Sequence, residues 1–275
     1  MKKLFVLLLC IAVFFTFAGC GDASPAQSDA MLSDAQAVSS ESVSSVDETD
    51  TRIPVKILPI GDAMTEGCRH NACGGYRVPL LKLLDEDKVP YEFVGLYDTG
   101  SVNVTNGQVM HSGQEGATVF SIEKVLPKMI KLNPDIILLM VGRVESVSGV
   151  NGEEFIKYFD KYTVEKILKY FPDATVYVAS IPPIREYAGP KSMDENDIAQ
   201  KLTNPLMKEL VESKKANGAK IEWVDMGIDA TGLVWEDFTV DDNIYPLPSG
   251  NEKLAAVWHD AIKDKISEIS AQINQ

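Results

Sequence analysis

Apolar and polar positions along residues 53–275 follow two patterns that alternate along the chain, one typical of strands and one typical of helices. Short runs that are apolar at most positions predict five strands, at 54–60, 91–96, 135–142, 174–181 and 221–226. Apolar residues at helical spacing predict helices at 76–85, 121–132, 153–171, 198–216 and 252–273. The run at 135–142 is almost wholly apolar, which is typical of a central parallel strand buried on both faces.

The alternation of strands with helices predicts an α/β fold. We expect a three-layer, doubly wound sheet of five parallel strands, with helices on both faces and right-handed crossovers. In such sheets the functional groups lie in loops at the carboxyl ends of the strands. Candidate chemistry is therefore expected in the loops that follow the predicted strands.

The first residues predict export. Lys2 and Lys3 precede an apolar run at 4–18, which is too short to span a membrane comfortably and has the length of a signal-peptide core. Small residues before Cys20 resemble the lipobox of bacterial lipoproteins, although Phe17 stands where Leu is usual. We expect residues 1–19 to be a lipoprotein signal peptide and Cys20 to carry the lipid. The alternative is an ordinary secretory signal with an incidental cysteine.

Residues 20–52 have the composition of a solvated tether. The segment is rich in Ser, Ala and acidic residues, and it has no aromatic residue and no apolar periodicity. Such a segment buries too little apolar surface to offset the entropy lost on ordering. We therefore place the single folded domain at residues 53–275.

The charge of the chain excludes one class of function. Lys and Arg number 26 and Asp and Glu number 40, for a net charge of −14. An excess of that sign repels phosphate backbones, so we expect no nucleic-acid partner. The four cysteines are too few for a disulfide scaffold and wrongly spaced for a four-cysteine zinc site.

Five short segments in or after the predicted loops carry the candidate chemistry. They are 60–67 (IGDAMTEG), 74–77 (GGYR), 111–118 (HSGQEGAT), 143–145 (RVE) and 242–246 (DNIYP).

In order, these segments resemble the conserved blocks of the SGNH hydrolases, also called the GDSL family. The first resembles Gly-Asp-Ser followed by Thr-Glu-Gly. The second and third resemble the Gly-x-Tyr-Arg and His-Glu-Gly-His-Ser-Gly-Trp-Thr segments of the family three carbohydrate esterases, a branch that includes acetylxylan esterases. The last two lie where the family has Gly-x-Asn-Asp and Asp-x-x-His-Pro. The resemblance spans the domain and implies the SGNH hydrolase fold, a flavodoxin-like sheet.

The resemblance also implies a catalytic set, most of which is replaced. In the family a Ser is the nucleophile, a His oriented by an Asp is the base, and an Asn side chain helps to form the oxyanion hole. The corresponding positions here are Ala63, Tyr245 and Val144. Alanine has no oxygen, valine has no donor, and a phenol with a pKa near about 10 is a poor base at neutral pH. Only the acid Asp242 and Gly116, whose N–H belongs to the oxyanion hole, are retained.

Charged residues flank the same positions. Asp62, Arg143 and Glu145 are expected to meet Asp242 in the cleft, and His111 to border it as a polar contact. The acids could bind a hard cation or serve glycosidic chemistry. We favour a salt-bridged cluster in which Arg143 neutralises them, and we expect no metal and no cofactor.

Cys68 and Cys73 remain once the signal and the lipid site are set aside. In an exported chain, two thiols five residues apart favour a local disulfide. Free thiols, or a metal site that includes His70, are the alternatives.

The sequence therefore predicts a surface lipoprotein whose esterase-like domain is inactive and binds a glycan or another acylated polymer, such as an acetylated polysaccharide. It would be anchored by its lipid to the outer face of the bacterial cytoplasmic membrane, or secreted. The alternatives are an active carbohydrate acetyl-ester hydrolase that uses unrecognised groups, and a scaffold for protein interactions.

Overall fold

The computed structural model describes residues 50–67, 74–100, 109–183, 199–238 and 245–275. Thr49–Gln275 form one compact unit. Several positions predicted from the sequence lie outside the described residues, namely the signal segment, Cys20, most of the tether, Cys68, Cys73 and Asp242.

Strands and helices alternate along the described chain. The strands are β1 (Val55–Gly61), β2 (Tyr91–Phe93), β3 (Ser112–Gly113), β4 (Ile136–Met140), β5 (Thr175–Ala179) and β6 (Ile221–Val224). The helices are α1 (Ala63–Glu66), α2 (Arg77–Asp87), α3 (Val119–Met129), α4 (Arg143–Val147), α5 (Gly152–Phe159), α6 (Glu165–Tyr170), α7 (Asn204–Ala216), α8 (Ile228–Thr231) and α9 (Pro248–Ile273). Shorter 3₁₀ turns lie at Ile130–Leu132 and Trp235–Asp237, and π turns at Asp160–Val164 and Ala199–Thr203.

The strands form one parallel sheet in the order β2-β1-β4-β5-β6, with β3 paired beside the end of β1. The predicted α/β fold and all five predicted strands are confirmed. The sixth strand was not predicted because its two residues are too short to show a periodic pattern. Its pairing aligns Ser112 with Ile60 and Gly113 with Gly61, which brings the 111–118 segment to the carboxyl end of β1.

Two apolar clusters cover the two faces of the sheet. Alternate residues of β4 belong to different clusters: Ile136 and Leu138 pack on one side, and Ile137 and Leu139 on the other. Helices α2 and α9 cover the first face, and α3, α5, α6 and α7 cover the second. This double burial explains why β4 reads as a continuous apolar run. In the part of the chain that the structure describes, no helix combines the length and apolarity needed to cross a membrane.

Two predicted helices are interrupted in the structure. The helix predicted at 153–171 contains the π turn Asp160–Val164, and the one predicted at 198–216 begins with the π turn Ala199–Thr203. In the first of these helices, the buried residues Phe159 and Val164 lie five positions apart across the π turn, whereas an α-helix would space them by three or four.

Candidate functional site

A tight turn at the end of β1 fixes the position of Ala63. Asp62 caps the short helix α1 by accepting a hydrogen bond from the Met64 N–H at 3.0 Å. The helix ends at Gly67, whose φ of +66° lies in the left-handed region that favours glycine. Ala63 is therefore the first residue of a helix at a strand end, and it is 8% exposed.

A small pocket brings together the two positions that the sequence predicts for the family nucleophile and base. Its lining includes Ala63 and Tyr245, together with Met64, Gly67, Gly75, Pro246 and Asn251. The Asn251 amide donates to the carbonyl oxygens of Pro246 and Leu247 at 3.1 and 3.2 Å, which ties the turn after Tyr245 to the start of α9. The pocket volume is about 10 Å³, close to the space that one water needs.

A second sharp turn places Arg143 and Val144 at the end of β4. Gly142 has a φ of +120°, and a Cβ at this position would lie 2.9 Å from side-chain atoms of Phe155 and Ile181. Only glycine fits this turn, which begins α4 immediately after the strand. Val144 is half-buried in that helix and presents an apolar side chain where the family has a donor.

The Arg143 guanidinium is buried near Asp62 and Tyr245. Its side chain is 6% exposed, and Nη2 donates to the Pro182 carbonyl oxygen at 2.9 Å. Its Nε and Nη1 have no hydrogen-bond partner among the described residues. Burial lowers the pKa of Arg143, while Asp62 and Tyr245 act in the opposite direction. Because a guanidinium is effectively always protonated in proteins, a positive charge lies beside both residues.

The two acids near Arg143 are buried as well. Burial raises the pKa of Asp62, and the charge of Arg143 and the backbone N–H of Met64 oppose that shift. Burial also raises the pKa of Glu145, and Asp62 adds to this rise. Glu145 accepts a hydrogen bond from the Val119 N–H at 2.8 Å, at the start of α3, while its other oxygen has no partner in the described part. The predicted cluster of Arg143 with the acids thus includes Asp62, whereas Glu145 caps a helix.

His111 lies in the interior, whereas the sequence places it at the border of the cleft. Its side chain is 0% exposed, Nδ1 accepts from the Gly113 N–H at 3.1 Å, and Nε2 lies 3.0 Å from Thr99 Oγ1. Since Nδ1 is an acceptor, the ring proton is on Nε2, which donates to Thr99. Burial and the nearby Arg77 lower the pKa of His111 to about 3, so the ring is neutral.

Arg77, from the second motif segment, holds the loops around this histidine. The side chain is fully buried, and its Nε donates to the Thr65 carbonyl oxygen at 2.8 Å. Nη2 donates to the carbonyl oxygens of Glu66 and Thr99 at 2.9 and 2.8 Å, and Nη1 donates to that of Val109. One side chain therefore joins the end of α1 to the two segments that lead to β3.

The two glycines of the third motif segment have different surroundings. Gly116, the predicted oxyanion donor, lies in an exposed turn with a φ of +72°, and a Cβ there would meet no atom within 4 Å. At Gly113 a Cβ would lie 2.7 Å from Glu66 N and from Thr65 Cβ. The Glu66 carboxylate accepts a hydrogen bond from the Glu115 N–H, which joins this turn to α1.

Within the described residues, no three His, Cys, Asp or Glu side chains form a group that could hold a metal ion. The candidate site therefore consists of a small pocket, a buried guanidinium and two buried carboxyl groups.

Solved structures that resemble this chain are esterases. A family 3 carbohydrate esterase from Clostridium thermocellum is similar with a TM-score of 0.63 and 22% identity, covering 79% of this chain and 100% of that one. A carbohydrate esterase family 3 structure from Talaromyces cellulolyticus has a TM-score of 0.64 and 18% identity, covering 78% and 99%. The chain has the SGNH hydrolase fold.

A further SGNH-fold neighbour is a member of the lipolytic G-D-S-L family from Veillonella parvula, with a TM-score of 0.55 and 14% identity, covering 76% of this chain and 98% of that one. Comparison of the sequence with family models and with curated proteins gave no match. The structure thus supports the resemblance to SGNH hydrolases and family 3 carbohydrate esterases that the sequence segments indicated.

Proposed function

We propose that this chain is a catalytically inactive SGNH-fold domain, carried on a surface lipoprotein, that binds a glycan. The observation that supports inactivity is the pocket between Ala63 and Tyr245, which has no nucleophile at the strand end and has the buried Arg143 charge beside it. Loss of a triad nucleophile or base costs about a millionfold in turnover. A neighbouring guanidinium would also oppose the positive charge that a base acquires when it takes a proton.

The nearby hydroxyl groups are poorly placed to replace the missing serine. Thr65 is fully buried, and its Oγ1 lies 3.5 Å from the Tyr76 hydroxyl. Ser112 is also buried, and its Oγ accepts a hydrogen bond from the Leu96 N–H at 3.1 Å. Neither hydroxyl can meet a substrate without opening the core, so a recruited nucleophile gains no support from these residues.

An ester-hydrolysis assay tests this proposal. Purified protein should release no more 4-nitrophenol from 4-nitrophenyl acetate, and no more acetate from acetylated xylo-oligosaccharide, than buffer does. Tyr245→Phe is the matched control, because it removes the one hydroxyl of the pocket that could act as an acid or base. Turnover by the unchanged protein that falls in Tyr245→Phe would refute inactivity and favour an active acetyl-ester hydrolase.

The anchoring part of the proposal rests on the sequence around Cys20. We expect the unchanged protein to enter the detergent phase in a phase-separation experiment, and Cys20→Ala to stay in the aqueous phase or to keep its signal peptide. Equal partition of the two forms would exclude a lipid on Cys20.

A glycan is the proposed ligand for two reasons. The similar structures are described as carbohydrate esterases, and the net charge of −14 disfavours polyanions. With a volume of about 10 Å³, the pocket at Ala63 has no room for a sugar ring in this conformation. The binding role therefore requires another surface.

A further inference from the structure

We propose that a groove at the carboxyl end of β6, with Trp223 in its wall, is a binding site for a neutral sugar chain. This inference rests on the proposed glycan-binding function and names the surface that performs it. The groove has a volume of about 530 Å³ and lies between the end of β6 and the start of α7. A volume of that size is within the usual range for small-molecule sites.

The groove opens at the same end of the sheet as the Ala63 pocket but at the opposite side. In the strand order, β6 is the edge strand and is separated from β1 by β4 and β5. Three strand spacings amount to roughly 14 Å. A ligand in the groove therefore does not need the former catalytic pocket.

Trp223 supplies an aromatic wall. The residue lies in β6, and its indole packs on one side against the apolar cluster that covers the second sheet face. The side chain is only partly buried, and it also lines the groove. A ring held against the core on one side and open on the other is suited to stack against the C–H face of a sugar. The sequence analysis did not single out Trp223, because a tryptophan in a strand has the same pattern whether it is core or exposed.

Buried hydrogen bonds make the opposite wall rigid. Asn204, the first residue of α7, accepts from the Ile181 N–H and donates to the Ile181 carbonyl oxygen, both at 3.0 Å. Gln200 Nε2 donates to the same carbonyl oxygen at 2.7 Å. These bonds fix the start of α7 to the segment after β5, so the groove is largely formed before a ligand arrives.

Polar atoms converge on one point of the groove. A Cβ at Gly227 would lie 3.0 Å from Asp225 Oδ1 and 3.7 Å from Gln200 Oε1, so both oxygens flank this glycine. Asp225 Oδ1 accepts hydrogen bonds from the Gly227 N–H at 2.8 Å and from Ser180 Oγ at 3.5 Å. Asp225 is exposed, so its carboxylate is accessible at this point of the groove. An aromatic face beside carboxylate and amide groups can recognise a ring that has C–H faces and hydroxyl edges.

The charges of the groove favour a neutral ligand. Among the described residues, its lining includes the two carboxylates of Asp225 and Asp229 and one ammonium group, that of Lys208. Lys208 Nζ lies 3.7 Å from a Glu212 oxygen, which partly neutralises it. A phosphate or a uronic acid would therefore meet net negative charge, whereas a neutral hexose or pentose chain would not.

Calorimetric titration of the purified full chain in detergent tests the inference. The probes are xylohexaose, cellohexaose and mannohexaose, with hexagalacturonic acid as an acidic probe and adenine as a ring without a sugar. We expect heat of binding with at least one neutral hexaose and none with the acidic probe. Trp223→Ala should weaken that binding at least tenfold, and Asp229→Ala should weaken it severalfold. Trp223→Phe, which keeps an aromatic face, should recover part of the loss.

Two control variants separate this surface from others. Phe120→Ala removes another exposed aromatic, which is 38% exposed and lies on α3, and it should bind as the unchanged protein does. Tyr97→Ala removes a further exposed aromatic, which is 40% exposed and does not line the groove, and it should also leave binding unchanged. Since Asp229 is exposed, its variant remains informative if Trp223→Ala proves unstable in a melting experiment.

The possible outcomes are distinct. Binding that survives Trp223→Ala and Asp229→Ala but is lost in Tyr97→Ala or Phe120→Ala would overturn the groove and retain glycan binding at another aromatic surface. Absence of binding to every neutral hexaose, or binding of adenine alone, would overturn the sugar site. Esterase turnover in the assay described above would refute inactivity and leave the groove unaffected.

Discussion

Removing the buried charge of Arg143 should change the stability of the domain chiefly through Asp62. Both side chains are nearly inaccessible, with exposed fractions of 6% and 3%. At an effective dielectric constant of about 20, two unit charges about 4 Å apart attract each other by about 4 kcal/mol, and the attraction decreases with distance. Arg143→Met keeps the length of the side chain, but it also removes two nitrogens without partners, each of which costs about 1–3 kcal/mol when buried. The effect of Arg143→Met alone on the free energy of unfolding therefore combines opposing contributions.

A double-mutant cycle isolates the attraction between the two charges. Asp62→Asn keeps an oxygen that can accept from the Met64 N–H, so the cap of α1 survives while the negative charge is lost. The effect of this variant alone combines the lost counter-charge of the guanidinium with relief of the burial cost of the carboxylate, so the cycle is needed to isolate the attraction. The coupling energy from the two single variants and the double variant should be about 2–3 kcal/mol. Urea unfolding of the four proteins at pH 7 measures it.

A second cycle serves as the control. Glu145 does not contribute to the pKa shift of Arg143, so Glu145→Gln and Arg143→Met should be additive within about 0.5 kcal/mol. If the Asp62–Arg143 cycle is equally additive, the two charges do not interact, and the charged-cluster interpretation of the former active site is refuted.

Three further predictions follow from the same contacts. The pKa of His111 is lowered to about 3, so below about pH 6.5 the unfolded chain takes up a proton while the folded chain does not. The stability from this group is therefore present above pH 6.5 and decreases by roughly 3 kcal/mol between pH 7 and 4. An equal pH slope in urea unfolding of His111→Gln would contradict this. The combined change Ala63→Ser, Val144→Asn and Tyr245→His should give weak hydrolysis of 4-nitrophenyl acetate, while each single change gives none, because triad members act as a unit. Turnover by any single variant would argue against this dependence on the whole set. Arg77→Met should lower the free energy of unfolding in urea by at least about 3 kcal/mol, since buried carbonyl oxygens lose their donor, and Arg77→Lys should recover less than half of that loss. A melting temperature of Arg77→Met within about 2 °C of the unchanged protein would show that these bonds contribute little.

The order of strands and helices could be predicted from the sequence because each long element carries its own periodic pattern. Strands β1, β2, β4, β5 and β6 and the long helices on the faces of the sheet all lie where periodicity predicts them. Three short elements at the ends of strands, β3, α1 and α4, were missed. Their conformation depends on pairing with β1 and on turns at Asp62 and Gly142, and neither cause leaves a periodic pattern.

The candidate site was predictable only as a set of positions. The motif segments identified Ala63, Val144 and Tyr245, and the structure brings Ala63 and Tyr245 to one pocket. The sequence did not reveal that the pocket is almost closed or that His111 is an interior residue, because closure depends on chains that approach from distant positions.

By itself, the sequence determined the residue types available to the former site, and with them the absence of a serine or histidine at the expected positions. Only the tertiary structure decided which charges are buried together and which aromatic face is open. Arg143 lies beside Asp62 and Tyr245 because the ends of two strands meet, and Trp223 lines a groove because β6 is an edge strand next to the start of α7. Local pattern is a property of neighbours along the chain, whereas burial and charge coupling depend on neighbours in space.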